Sequence, residues 1–258
     1  MNKPESLINK IEHAKDLDYR MILEQSIELF KNLWQKGFIV VSVIVVCAIG
    51  INFLFGLIGL SPFSYNLETG FDLESFSQNQ TRKILYAIPQ NIIISALTIA
   101  LVGGFYRMCK QFILGQTLKD DYFYFFKKDY YPKLLMLGIL YTGIATIAQL
   151  LCFVPYLYVF VPLSYFSIVF AMNPHFTETD IVKTSFKIGN KKWFITFGTM
   201  VVTGLLAMLG ILACFVGILF TMCLVYLPVF LIYGEVVGFE GTSDIDQIGA
   251  GEDSENGM

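Results

Sequence analysis

The chain has 258 residues, 55% of them hydrophobic and 15% charged, with a formal charge of −3. An ordinary soluble domain carries roughly 25% charged residues, and the mean hydropathy here is +0.61. These values exclude a soluble globular enzyme, a disordered chain and a nucleic-acid binder, the last because too few basic residues are present to hold a phosphate backbone. An integral membrane protein remains.

Residues 1–37 are mixed in charge, with no apolar stretch before Phe38, so no secretory signal is expected there. They are expected to form a cytoplasmic segment whose stretch Ile22–Trp34 (ILEQSIELFKNLW) is an amphipathic interfacial helix with Trp34 at headgroup level. A bilayer crossing takes about 20 apolar residues. The pattern predicts six, at about 38–60, 85–106, 134–152, 155–172, 193–209 and 213–233. The apolar runs 134–172 and 193–233 are too long for one crossing and suit tight hairpins, turning at Pro155 and between Gly210 and Gly217. The expected fold is an all-α integral membrane protein: six transmembrane helices in three hairpin-like units, with interfacial amphipathic helices before the first, third and fifth. Residues 234–258 hold seven acids and no Lys or Arg, and are expected to be a flexible acidic cytoplasmic tail. If 193–233 crossed only once, that tail would lie outside.

Basic residues set the orientation. Of the 18 Lys and Arg, 16 fall before Phe38, between Arg107 and Lys133, or between Lys183 and Lys192. Arg82 and Lys83 alone lie on the other side, at the end of an outer loop from Ser61 that carries Glu68, Asp72 and Glu74. The expected location is a bacterial inner membrane, with both termini cytoplasmic.

The chain also repeats itself. Ile22, Ser26 and Trp34 have the spacing of Ile181, Ser185 and Trp193. Cys152-Phe153-Val154-Pro155 and Cys214-Phe215-Val216-Gly217 stand 62 residues apart. The second and third hairpins therefore read as copies of one unit: interfacial helix, span, CFV turn, span.

Leu150–Tyr165 (LLCFVPYLYVFVPLSY), the Ser185–Trp193 element and Leu209–Pro228 (LGILACFVGILFTMCLVYLP) resemble a broad class of bacterial six-span membrane proteins of unknown function. That class is similar to the membrane domain ahead of some glycerophosphodiester phosphodiesterase domains. Met222 and Cys223 depart from it, standing where a Pro is expected. The resemblance covers roughly Ile22 to Tyr233 and implies a fold and a place in the membrane, not a reaction. Some bacterial proteins that look like this chain bear the name carotenoid oxygenase. Such enzymes hold a non-haem iron with four histidines, and this chain has two, His13 and His175, so that chemistry is not expected.

Candidate sites are of two kinds. Trp34, Lys127, Lys128, Tyr130, Tyr131, Lys191, Lys192 and Trp193 combine aromatic and basic groups at the expected cytoplasmic interface. They read either as a docking surface for lipid or a protein partner, or as an anchor with Tyr at headgroup level and Lys snorkelling outward. Asn52, Gln90, Asn91 and Gln149 are the amides within the spans, and read either as an intramembrane polar pocket or as helix–helix bonds. Ala96, Ala100 and Gly104 form a small-residue face for close helix approach. Cys152 and Cys214 read either as a disulfide between hairpin tips or as small residues packed at turns.

The spans carry no Asp, Glu, Lys or Arg away from their ends, and no catalytic set is visible. No metal and no cofactor is expected. The expected partners are membrane lipids and a protein docking at the cytoplasmic face, with no nucleic acid. The functional expectation is a non-enzymatic scaffold, regulatory or lipid-binding membrane protein. The alternative is a transporter or exporter of an apolar or lipid-like substrate.

Overall fold

Asp18 begins the longest proline-free helix among the described residues. Its carboxylate accepts the Arg20 backbone N–H at 2.8 Å, capping helix α2 (Tyr19–Leu57). No proline follows for 39 residues, so the helix runs on for about 58 Å at 1.5 Å per residue. The expected interfacial helix and the first expected span are therefore one element, with no break at Trp34 or Phe38.

The computed structural model describes residues 4–58, 73–117, 121–151, 153–210 and 217–239. Among them every regular element is helical. Besides α2 these are α1 (Pro4–Glu12), α3 (Leu73–Ile113), α4 (Tyr131–Leu151), α5 (Phe153–Ser164), α6 (Phe166–Met172), α7 (Glu178–Lys191), α8 (Trp193–Met208), α9 (Gly217–Thr221) and α10 (Leu227–Val237). Short 3₁₀ turns lie at Tyr124–Phe126 and Met222–Tyr226. The expected outer loop falls partly on 59–72, the Cys152–Cys214 pair on 152 and 211–216, and most of the acidic tail on 240–258, all outside the described residues.

Five helical stretches are long and apolar enough to cross a bilayer: Tyr19–Leu57, Ile84–Ile113, Tyr131–Leu151, Val154–Met172 and Gly217–Val237. Trp193–Met208 is equally apolar but has 16 residues. Val46, Phe53 and Leu57 are each about two-thirds exposed, a surface that water would not tolerate and lipid does. The chain is a helical membrane protein.

Two differences from the sequence expectation stand out. Helix α3 begins at Leu73, not at the start of the apolar run near Leu85, because LESFSQNQTRK contains no Gly or Pro to stop a helix. Amphipathic α7, expected as an interfacial helix before the fifth span, packs along a segment expected to be part of the fourth. It runs beside α5, where Gly189 meets Pro162 so closely that a Cβ would sit 2.6 Å from the proline Cα. Lys191 and Lys192 thus flank a segment that reads as apolar span in the sequence.

The most extensive helix pair is α3 with α4. A Cβ on Gly138 would lie 2.6 Å from the Ile92 carbonyl oxygen and 2.9 Å from the Ala96 Cβ, so glycine sets how closely the backbones approach. The small-residue face of α3 is used, but divided: Ala96 meets α4, whereas Gly104 meets the Tyr122 carbonyl of the connecting loop.

Several lysines serve backbone carbonyls. Lys10 donates to the Val237 oxygen at 3.0 Å, closing the end of α10. Lys133 donates to the Pro174 and Phe176 oxygens, each at 2.8 Å. Lys192, 5% exposed, donates to the Lys15 oxygen. Charges that look like a solvated rim in the sequence in fact tie α1, α4, α7 and α10 together.

Candidate functional site

Two interrupted helices shape the interior. Pro162 lacks the N–H that an unbroken helix would give to the Tyr158 carbonyl, and its ring crowds that position. Just after it, α5 gives way to α6: Tyr165 N–H turns to the Pro162 oxygen at 3.2 Å and the Ser164 hydroxyl donates to the Val161 oxygen at 2.7 Å. The second interruption is the 3₁₀ turn Met222–Tyr226, followed by Pro228 in the first turn of α10. Ser164 and Tyr226, at these breaks, are 62 residues apart, the offset of the CFV motifs.

A chamber of about 420 Å³ lies between the breaks, walled also by α3, α4 and α8. Ile99, Val102, Leu163, Met200 and Val229 form a buried apolar floor. Hydroxyls of Ser95, Thr98, Ser164, Ser167, Tyr106 and Tyr226 belong to lining residues. Tyr106 donates to the Tyr226 carbonyl at 3.1 Å, and Ser95 and Thr142 share a hydrogen bond at 3.2 Å. Behind the wall, buried Tyr165 and Thr196 are bonded at 2.7 Å, fixing α8 on the α5–α6 break.

No family model, no curated protein and no solved structure matches this chain.

The four in-span amides do not converge. Gln90 is buried, with its Oε1 unpartnered. Asn91 and Gln149 are exposed, and Asn52 bonds its own helix at the Ala48 oxygen, 2.8 Å away. None of the four lines the chamber, which is walled instead by serine, threonine and tyrosine.

The interfacial candidates divide among three places. Trp34 packs on Phe220 with centroids 5.7 Å apart. In the α3–α4 connection, the Arg107 guanidinium sits 3.2 Å from the Tyr124 ring centroid and the Lys127 ammonium 4.4 Å from it. Tyr130 joins this cluster through fully buried Phe125, while Lys128 and Tyr131 are exposed. Arg107, by hydrogen bond and charge, holds the Tyr124 phenol below its ordinary range, and burial pushes Tyr130 above it. Part of the docking stretch is therefore an internal aromatic box that carries Lys127 on its rim. At the α7–α8 junction Lys191 is exposed, Lys192 is turned inward, and Trp193 donates to the Tyr158 carbonyl at 3.0 Å.

A second, open groove of about 690 Å³ runs between α2, the end of α3 and α10. Gln25, Glu28, Asn32 and Glu235 give it polar walls. The two histidines stay apart: His13 Nδ1 lies 3.0 Å from the Asn9 oxygen, and His175 packs edge-on to Phe176.

Sequence reasoning passed over the chamber hydroxyls because serine and threonine are ordinary in apolar helices. Pro162 and Pro228, each within an expected span, were the available signal.

Proposed function

We propose that this chain is a multi-pass protein of a bacterial inner membrane that binds a lipid-like molecule in its central chamber and catalyses no reaction on it. One observation carries the reading: a partly open chamber of about 420 Å³ lined by apolar side chains with a few hydroxyls. Small-molecule sites span about 300–1,000 Å³ and have this mixture of apolar wall and sparse polar groups. Six crossings with cytoplasmic termini belong to the same proposal. They are supported by the distribution of the 18 basic residues and by α8, which is apolar although short. The resemblance to bacterial six-span proteins and the 62-residue offset of the CFV motifs also support it.

A second reading, transport or export of that molecule, is favoured by the breaks themselves. Helices interrupted beside a binding site are a recurrent transporter device, because the broken segment can bend and its freed backbone groups face the site. Docking of a protein partner on the cytoplasmic face is a third role, compatible with the first.

Native mass spectrometry of the full chain in a mild detergent, with lipid analysis of what copurifies, tests the proposal. One apolar molecule per chain is expected. A stoichiometric second protein without lipid would replace lipid binding by scaffolding, and a bare chain would argue against both.

A further inference from the structure

We infer that the chamber selects an uncharged, hydroxyl-headed amphiphile, such as a long-chain alcohol. The inference rests on the proposed reading of the chamber as a binding site and adds the chemistry of its occupant. Among the described residues, the lining includes no Asp, Glu, Lys, Arg or His and no side-chain amide. A phosphate or carboxylate head would be buried there without a cation, and an ammonium head without an anion. Either costs far more than the apolar chain recovers.

The hydroxyls narrow the choice further. A serine or tyrosine hydroxyl has one hydrogen to give and lone pairs to receive with. The Tyr106 hydrogen is committed to the Tyr226 carbonyl, and the Ser164 hydrogen to the Val161 carbonyl. Both hydroxyl oxygens are left as acceptors beside the space. An ester or ketone head brings only acceptors and cannot bond these two oxygens, whereas an alcohol can bond them and also the lining hydroxyls of Thr98, Ser167 and Tyr226. An alcohol brings a hydrogen, and its tail matches Ile99, Val102, Leu163, Met200 and Val229. The committed hydrogens come from the helix breaks: Ser164 caps the carbonyl one turn back, and Tyr106 holds the carbonyl of the 3₁₀ turn. The interruptions that open the chamber thus also set its polarity.

The test titrates the purified full chain in mild detergent with hexadecan-1-ol, hexadecanoate and hexadecane, counting bound molecules by native mass spectrometry. Hexadecan-1-ol should bind at one per chain, at least tenfold more tightly than the other two. Ser164→Ala should weaken it about three- to tenfold, the worth of one hydrogen bond, and leave hexadecane unchanged. Ser167→Phe, which fills the chamber, should abolish binding; Thr98→Leu is the second filling variant if Ser167→Phe does not elute as a single species. Equal or tighter binding of hexadecanoate that a filling variant abolishes overturns the ligand class and leaves the chamber as a site. Alcohol binding that survives both filling variants overturns the chamber itself, and so does failure of all three probes to bind.

Discussion

Trp193 Nε1 donates to the Tyr158 carbonyl oxygen at 3.0 Å, and Tyr158 stands four residues before Pro162. The proline removes the N–H that this carbonyl would otherwise receive, and an indole from another helix supplies it. The contact also seats α8 on α5, and the Tyr158 hydroxyl, donating to Asn190 Oδ1 at 2.8 Å, ties the end of α7 to the same residue. Trp193→Phe should therefore destabilise the protein by about 0.5–1.5 kcal/mol, read as a lower thermal midpoint in detergent. In a Pro162→Ala background, where a backbone N–H returns, the same change should cost less. Equal cost in both backgrounds would mean that the tryptophan acts by packing alone.

Glycines on α4 separate close approach from mere helix weakening. Gly138→Ala forces a Cβ into the Ile92 carbonyl and should cost about 1–3 kcal/mol. At Gly143 a Cβ would meet nothing within 4 Å, so Gly143→Ala should be neutral or stabilising by up to about 1 kcal/mol. Thermal midpoints of the two variants, measured side by side, check the contrast.

Lys191 and Lys192 are adjacent and should behave differently. The Lys192 ammonium bonds the Lys15 carbonyl and lies 3.7 Å from Asp16 Oδ1, holding the α1–α2 connection against α7. Lys192→Met should cost about 1–3 kcal/mol and speed proteolysis near Lys15. Lys191→Met, at an exposed position, should do neither.

Acid should loosen α1 before the rest. Lys187 bonds and attracts the Glu12 carboxylate, lowering its pKa below the usual carboxylate range. A depressed carboxylate stabilises the fold above its unfolded value of about 4.3 and loses that contribution as pH falls through the folded value. Hydrogen exchange of α1 should therefore rise selectively below about pH 4, and Glu12→Gln should show the faster exchange already at pH 7. The contact is exposed, so the effect should be local and salt-sensitive.

Apolar run lengths made the helical membrane class legible, since nothing else explains stretches such as Phe38–Leu60. The small face of α3 was legible in part: Ala96 does meet a helix closely, whereas Gly104 meets the Tyr122 carbonyl of a loop. The side-by-side packing of α7 and α5 was not: it depends on Gly189 meeting Pro162 across 27 residues of chain, a tertiary contact without a local pattern. Nor was the inward turn of Lys192, since composition distinguishes a snorkelling lysine from a tethering one only when its acceptor, the Lys15 carbonyl, is in view. The chamber was not legible because the strongest polar side chains of the spans do not line it. Asn52 is satisfied within its own helix, while the weaker hydroxyls of Ser164 and Ser167 sit where prolines open the interior.

Photo-cross-linking tests the central claim most directly. The full chain in lipid vesicles is incubated with a diazirine-bearing long-chain alcohol, irradiated and mapped by peptide mass spectrometry. The account predicts labelling at the two helix breaks, on the peptides containing Leu163–Ser167 and Met222–Tyr226, competed by unlabelled hexadecan-1-ol. Labelling confined to the lipid-exposed face of α2, at Val46, Phe53 and Leu57, with no competition, would contradict it.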